Sequence, residues 1–376
     1  MDFTTRECTI FPENVPSDFK RVLAEFPALR RGKLRLLQGQ RYNYVFNYDN
    51  GTFVRWGNTL EDDPPFSPIG PEIVDLEIST VCHGVAGVPC KFCYKENTPA
   101  GENMTFDAFK QIFSKLPANV MQIAFGIGDI DGNPDMARIL RHCRANPRRL
   151  VIPNITINGS RLTDSLVALL ASTCGAVAVS HYDDDTCFDA VHRLAKCGMK
   201  QVNIHQLLAS ETTNDAFDLV DHAMNDPRLE NLHAIVFLSL KQKGRGTGFA
   251  PMSRDSFSTL IQLALAKHVP VGFDSCSALK VFNEFKNHAS LETFKALVEP
   301  CESTLFSAYI NVHGDFFPCS FVEDEQGHEA GLIVAECTDF MQDIWYHPST
   351  VKFRENLLRS AENNDIKCRN CPLFEI

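Results

Sequence analysis

The chain has 376 residues, 44% of them hydrophobic, enough for one large core or a core with a smaller domain beside it. Its formal net charge of -11 disfavours broad electrostatic binding to nucleic acid or to an anionic membrane, and no apolar run approaches the length of a membrane span. The opening residues Met1-Asp2-Phe3-Thr4-Thr5-Arg6 lack a signal-peptide core, so a cytoplasmic location is the expectation.

Residues 1 to about 70 read as a separate lead-in. Cys8 falls in an irregular leader, and Asp18 to Leu29 suits a short helix interrupted by Pro27. Leu34 to Phe46 and Thr52 to Trp56 alternate like strands around the hairpin turn Asp49-Asn50-Gly51. Asp62 to Pro68 is proline-rich and reads as a linker.

From residue 72 strands and helices alternate. Ile73–Ser79, Val120–Ile127, Leu150–Ile157, Ala176–His181, Gln201–Leu208 and Leu232–Leu240 are mostly continuous apolar runs, as strands buried on both faces require. Thr105 is placed to cap a helix carrying Phe106, Phe109, Ile112, Phe113 and Leu116 on one face. Asp135–Ala145, Thr163–Cys174, Thr186–Gly198, Asn214–Asn225 and Arg254–His268 are the helices that follow. Six β/α units in order predict a parallel sheet with right-handed crossovers. Six are too few for a closed eight-stranded barrel, so the α/β fold expected is a partial (β/α)6 TIM-like barrel over residues 71–270. Functional loops then belong at the C-terminal ends of the strands. After about residue 270 the alternation fades into cysteines and short aromatic strands, which predicts a small appended domain over 271–376 held by metal.

Fourteen cysteines in a chain of this kind point to metal or redox use rather than to disulfides. Cys143, Cys174, Cys187, Cys197 and Cys337 lie in helical or helix-end patterns, where a thiol serves as a small apolar side chain. The chemistry-bearing group is Cys82, Cys90 and Cys93, on one loop directly after the strand Ile73–Ser79. Three thiolates on one loop suit an iron–sulfur cluster with one iron free for another ligand. Zinc is the inorganic rival, with His83 as its fourth ligand. A second thiol group is Cys301, Cys319, Cys368 and Cys371, ending in C-x-x-C; it suits either a cluster or a zinc knuckle. Gly272-Phe273-Asp274-Ser275-Cys276 falls where a late strand returns toward the site. There Asp274 is a candidate proton acceptor and Cys276 a candidate hydrogen-atom donor, beside the plainer reading of a strand-end turn with a packed cysteine. Lys241 to Gly248 is basic and glycine-rich without being a Walker pattern, and reads as a mobile loop after the sixth strand.

Glu77-Ile78-Ser79-Thr80 followed by Cys82 and Cys90-Lys91-Phe92-Cys93 resembles the signature of the radical S-adenosylmethionine (SAM) superfamily, with seven residues in the first cysteine interval where the family has three. Phe125-Gly126-Ile127-Gly128-Asp129 resembles the family's Gly-Gly-Glu-Pro tract, with Ile127 and Asp129 at the second glycine and glutamate places. Ile155-Thr156-Ile157-Asn158-Gly159 and Val179-Ser180-His181-Tyr182 resemble its third- and fourth-strand tracts. The resemblance implies SAM contacts at Phe92, Gly126, Gly128, Asp129, Thr156, Asn158 and Ser180, with Arg193 as the candidate for a basic clamp on the SAM carboxylate. It implies a [4Fe–4S] cluster on Cys82, Cys90 and Cys93 that binds SAM, whose reductive cleavage yields a 5′-deoxyadenosyl radical. Cys301, Gly314 and Cys319, with the closing Cys368 and Cys371, resemble the twitch domain, a shortened relative of the SPASM domain. That resemblance implies one auxiliary [4Fe–4S] cluster on Cys301, Cys319, Cys368 and Cys371. The implied activity is that of a radical SAM oxidoreductase on a peptide or protein side chain, fed by an electron donor such as flavodoxin or ferredoxin. Dehydrogenation or cyclisation of a small molecule is the alternative within the class, and a zinc-stabilised binding protein the alternative outside it.

Overall fold

The computed structural model describes residues 2–145, 149–286, 298–325, 327–362 and 368–374. The chain forms two compact units, Met1–Gly70 and Pro71–Ile376.

The first unit is a four-stranded antiparallel sheet in the order β1-β2-β3-β4, with β1 at Thr4–Cys8, β2 at Leu34–Gln38, β3 at Asn43–Asn47 and β4 at Phe53–Trp56. Phe19 and Val22 of helix α1 (Ser17–Glu25) bury against Leu34, Leu36, Val45 and Trp56. The expected hairpin is present, but the run Leu34 to Phe46 folds back on itself as β2 and β3. Asn43 allows this by accepting a hydrogen bond from Gly39 N at 3.0 Å and donating to Gly57 O at 2.8 Å. The leader holding Cys8 is a strand, paired with β2 from Thr4 opposite Gln38 to Cys8 opposite Leu34. Its side chains are largely exposed, so no apolar alternation marked it in the sequence.

The second unit is built on one ten-stranded sheet. In chain order β5 (Ile73–Ser79), β6 (Gln122–Ile127), β7 (Ile152–Ile157), β8 (Val177–Ser180), β9 (Val202–Leu208) and β10 (Ala234–Ser239) pair in parallel with their neighbours. The intervening helices are α2 (Phe106–Lys115), α3 (Met136–Ala145), α4 (Asp164–Thr173), α5 (Asp184–Lys196) and α6 (Thr213–Asn225), followed by α7 (Arg254–Ala266). These are the six expected β/α units. Thr105 caps α2 as its sequence position implied, accepting from Ala108 N at 3.2 Å.

The sheet extends beyond the six units at both ends. β11 (Val271–Phe273) adds in parallel to β10, and helix α8 (Ala278–Phe285) follows it. β12 (Ser307–Ile310) adds in parallel to β5 on the other side, and β13 (Asp315–Phe317) and β14 (Leu332–Ile333) continue antiparallel. The cysteine-rich C-terminal segment therefore shares its backbone hydrogen bonding with the strand that precedes the three-cysteine loop. Helix α9 (Pro348–Glu362) follows, and its buried Arg354 donates to Thr304 O and Trp345 O.

Side chains alternate across each strand. On β5, Val74, Leu76 and Ile78 join the apolar core, while Asp75, Glu77 and Ser79 face the opposite side, toward the lumen of the partial barrel. Among the described residues no helix is long and apolar enough to cross a membrane.

Phe237, on β10, is fully buried and meets Phe273 with ring centroids 5.9 Å apart. Phe237→Ala is expected to lower folding stability by about 3–5 kcal/mol, read as a shift of the denaturant midpoint. A loss below about 1 kcal/mol contradicts this packing.

Candidate active site

β5 runs out at Ser79 into the loop that carries Cys82, Cys90 and Cys93, and the loop is pinned from several sides. Thr80 N donates to Glu102 O and Cys82 N to Thr98 O, each at 2.9 Å, so the loop's two limbs are stitched together. Gly84 has φ +79°, and a Cβ there would lie 1.9 Å from Val88 O. The seven-residue first interval is therefore a tight turn rather than slack, with Val85 and Val88 exchanging backbone hydrogen bonds. Gly84 N also donates to Cys82 Sγ at 3.3 Å.

The exit of β6 packs directly on this loop. Asp129 N donates to Val81 O at 2.8 Å and Gly128 N to Ser79 O at 3.2 Å. A Cβ at Gly128 would lie 2.2 Å from Val81 O and 2.7 Å from the Cys82 Cβ, so only glycine permits the approach. The buried Asp129 carboxylate accepts from His83 N at 2.9 Å and from Asn158 Nδ2 at 3.3 Å, and pairs with His83 Nδ1 at 2.6 Å. Asp129 thus joins the cysteine loop to the end of β7. Thr156 stands beside Gly126 in the β6–β7 register, and Ser180 stands beside His205 in the β8–β9 register. Burial holds His205 neutral, its pKa pushed down to about 4.

Phe92 stacks on Tyr182 at 5.7 Å and meets Phe249 edge-on at 5.6 Å. Tyr182 also reaches the Cys90 thiol. Burial is the largest influence raising the pKa of Cys82 and Cys90, and the neighbouring Cys93 adds to both. All three thiols are free and half-buried. Loss of a proton to a metal centre reverses such a shift, because the cation repays the buried thiolate. Among the described residues no three His, Cys, Asp or Glu side chains stand at the spacing of a single metal ion. A four-iron cubane is a larger body than one ion, and three free thiols on one pinned loop are a donor set that fits it.

Arg193 lies away from these strand ends: its guanidinium donates to Leu162 O at 2.6 Å and to Asp164 Oδ1 at 2.7 Å. A basic residue that does reach the cysteine loop from another element is Arg245, from the glycine-rich loop after β10. It donates from Nε to Cys90 O at 2.9 Å and from its backbone N to Cys93 O at 3.1 Å. Gly244 allows the contact, since a Cβ there would meet Tyr94 O at 2.6 Å. The loop expected to be mobile is held here by these contacts, and its alternation of Gly with Lys and Arg was the available signal for a clamp.

Asp274 is fully engaged. Its carboxylate pairs with Lys241, accepts from Ser277 N at 3.1 Å and from Ser239 N at 3.3 Å, and also binds the Ser277 hydroxyl. That is the work of a helix cap and counterion. Burial pushes the Cys276 thiol up to about 12. The C-terminal thiols resemble it: burial pushes Cys301 and Cys319 up to about 12 and Cys368 up to about 11.

A buried polar network links the loop to the C-terminal segment, and sequence reading did not see it. Lys95, two residues after Cys93, lies 3.3 Å from Glu77 Oε2, pairs with Glu323 and donates to Tyr309 Oη at 2.9 Å. Tyr309 donates to Glu77 at 3.1 Å, and Asn311 donates to Glu323 at 2.7 Å. Burial pushes the Glu77 carboxyl up against the pull of Lys95. Burial also acts upward on Glu323, but its hydrogen bonds to Lys95 and Asn311 outweigh that and leave it below the ordinary range.

Residues 301–372 match the family model SPASM, an iron–sulfur cluster-binding domain. The chain is similar to the crystal structure of Streptococcus suis SuiB bound to S-adenosylmethionine, with a TM-score of 0.59, 16% identity, and coverage of 81% of this chain and 73% of that one. It is also similar to native anSMEcpe with bound AdoMet and the Cp18Cys peptide, with a TM-score of 0.54, 12% identity, and coverage of 78% and 86%. No curated protein matches the sequence. The chain shares the fold of these two S-adenosylmethionine-bound structures, a partial barrel, and its residues 301–372 match an iron–sulfur cluster-binding domain.

Asp75 lines the lumen, reaching solvent while protein surrounds it, and burial pushes its carboxyl from 3.8 up to about 6. Its protonated form is the one the fold favours, so its contribution is complete below pH 3.8 and is lost as pH rises through about 6. Asp75→Asn keeps the site neutral. The variant is expected to gain stability over the parent at about pH 8 relative to about pH 4, measured by denaturant unfolding. An equal difference at both pH values contradicts the assignment.

Proposed function

We propose that this chain, with the fold of radical SAM enzymes and a SPASM-type domain, reductively cleaves S-adenosylmethionine and removes a hydrogen atom from a peptide or protein side chain. The observation that carries this reading is the three-thiol loop at the C-terminal end of β5, pinned by Asp129 and Arg245 and joined by Lys95 to the iron–sulfur domain. Cys82, Cys90 and Cys93 would hold a [4Fe–4S] cluster, and three thiolates would leave it a place to bind SAM. When bound, that pair supplies a one-electron cleavage giving methionine and a 5′-deoxyadenosyl radical.

The chain's own residues orient and enclose. The backbone of Gly126 to Asp129 and the side chains of Thr156, Asn158 and Ser180 lie along the strand ends where the methionine and ribose parts of SAM would bind. Phe92, backed by Tyr182 and Phe249, offers an aromatic wall for adenine. With the site filled, these aromatic rings would help to exclude water from the reacting centre. A substrate carbon must be held close to C5′ for hydrogen transfer, which is a demand on positioning rather than on acid–base groups. Cys301, Cys319, Cys368 and Cys371 of the C-terminal domain would hold a second [4Fe–4S] cluster, which would supply an electron acceptor. A flavodoxin or ferredoxin is the proposed external donor. A peptide substrate is favoured because anSMEcpe, of similar fold, holds one in its crystal structure.

Anaerobically purified protein is expected to be brown, with about eight iron atoms per chain, and to form 5′-deoxyadenosine from SAM on dithionite reduction. Cys90→Ala or Cys93→Ala is expected to abolish that product. Colourless protein holding zinc, or clusters without any 5′-deoxyadenosine, contradicts the proposal.

A further inference from the structure

The lumen wall of the barrel is made of small and polar side chains. A closed barrel fills its interior with bulky branched residues. Here Ala124, Gly126, Ala178, Ala234 and Gly272 stand at lumen positions, alternating with the core residues of β6, β8, β10 and β11.

Asp75 opens onto this space. In the sheet register it stands between Ala124 of β6 and Tyr309 of β12. It lies four residues before Ser79, roughly 13 Å below the exit of β5 at a rise of about 3.3 Å per residue. Its side chain is exposed although protein surrounds it, and among the described residues it has no ion-pair or hydrogen-bond partner. The neighbouring groups are already committed. Glu77 has Lys95 and Tyr309, Lys95 also has Glu323, and Lys241 has Asp274. The Tyr94 phenol, within the field of both Asp75 and Glu77, is engaged by Ser320. Further along the wall, Asn203 stands between Ala178 and Ala234, and its buried Oδ1 has no hydrogen-bond partner among the described residues. The lumen thus offers acceptors and keeps its own donors occupied. Buried acceptors without donors are costly, so the ligand suited to this wall brings donors, and charged donors make the stronger hydrogen bonds.

We propose that Asp75 is the substrate-recognising residue of the barrel, its carboxylate binding an ammonium or guanidinium group of the substrate deep in the lumen. The assignment rests on the radical chemistry proposed above and names a substrate class for it. A lysine or arginine side chain of a peptide carries such a group, and so does a small-molecule amine. Anchored well below the strand ends, the cation fixes which substrate carbon lies beside SAM without itself reacting. Burial alone favours the protonated acid; an arriving cation favours the carboxylate and supplies the missing counter-charge.

The test is calorimetric titration of anaerobically reconstituted full-length protein at about pH 7.5, where amines are charged. Nα-acetyl-lysine methylamide and Nα-acetyl-arginine methylamide represent a peptide side chain, pentylamine represents a small-molecule amine, and Nα-acetyl-norleucine methylamide is the neutral control. At least one cationic probe is expected to bind about tenfold more tightly than the norleucine probe. Preference for the lysine or arginine probe over pentylamine assigns a peptide source, and the reverse a small-molecule source. Asp75→Asn is expected to erase the preference while still binding the norleucine probe, and Asp75→Glu to keep it. Protein that forms 5′-deoxyadenosine from SAM yet binds cationic and neutral probes alike overturns the assignment alone, as does a preference that survives in Asp75→Asn. Protein that forms no 5′-deoxyadenosine overturns the radical chemistry and the substrate role with it.

Discussion

The organisation of the site depends on one close approach, the backbone of Gly128 against Val81 and Cys82. With no side chain in the way, the exit of β6 lies flat on the cysteine loop and donates two backbone hydrogen bonds to it. A thiol-bearing loop has no regular secondary structure to fix it, and buried backbone groups without partners are costly. Here each limb finds partners on its neighbour or on an adjacent strand end. Asp129 completes the arrangement by engaging His83 on one side and Asn158 on the other.

The buried charges form a second framework around the first. Glu77, Lys95, Glu323 and Tyr309 satisfy one another inside the protein, and Lys241 and Asp274 do the same nearby. Removing one partner from such a group leaves an uncompensated buried charge, which costs far more than the intact network contributes. The network therefore works as a register device. Lys95 comes from the cysteine loop, Glu77 from the first barrel strand, and Tyr309 and Glu323 from the C-terminal segment. The parallel pairing of β12 with β5 fixes the same relation through the backbone.

The barrel was legible because its six strands are apolar runs of strand length separated by helices with an apolar face, and these patterns encode local structure directly. The three-thiol loop was legible because its cysteines lie close in sequence at the end of a strand. β1 escaped notice because its exposed side chains carry no alternation. The pairing of β12 with β5 joins residues more than two hundred positions apart, and a four-residue strand gives no local sign of its partner. Arg245, Lys95 and Glu323 were missed for the same reason, since a long charged side chain announces burial only through what it meets. Arg193 was attractive by position along the chain, yet α5 directs it to the start of α4. Asp274 suited a proton acceptor in sequence, but the fold gives it a lysine and a helix start to hold.

The proposed chemistry stands on the three-thiol loop presenting an iron open to SAM. Its most direct measurement is electron paramagnetic resonance of the reduced full-length protein titrated with SAM, using SAM labelled with nitrogen-15 at the amino group and hyperfine spectroscopy to detect the label. SAM is expected to shift the g-values of one cluster, and the labelled nitrogen to couple to it. A reduced cluster whose spectrum is indifferent to SAM, with no coupling to the label, would contradict it.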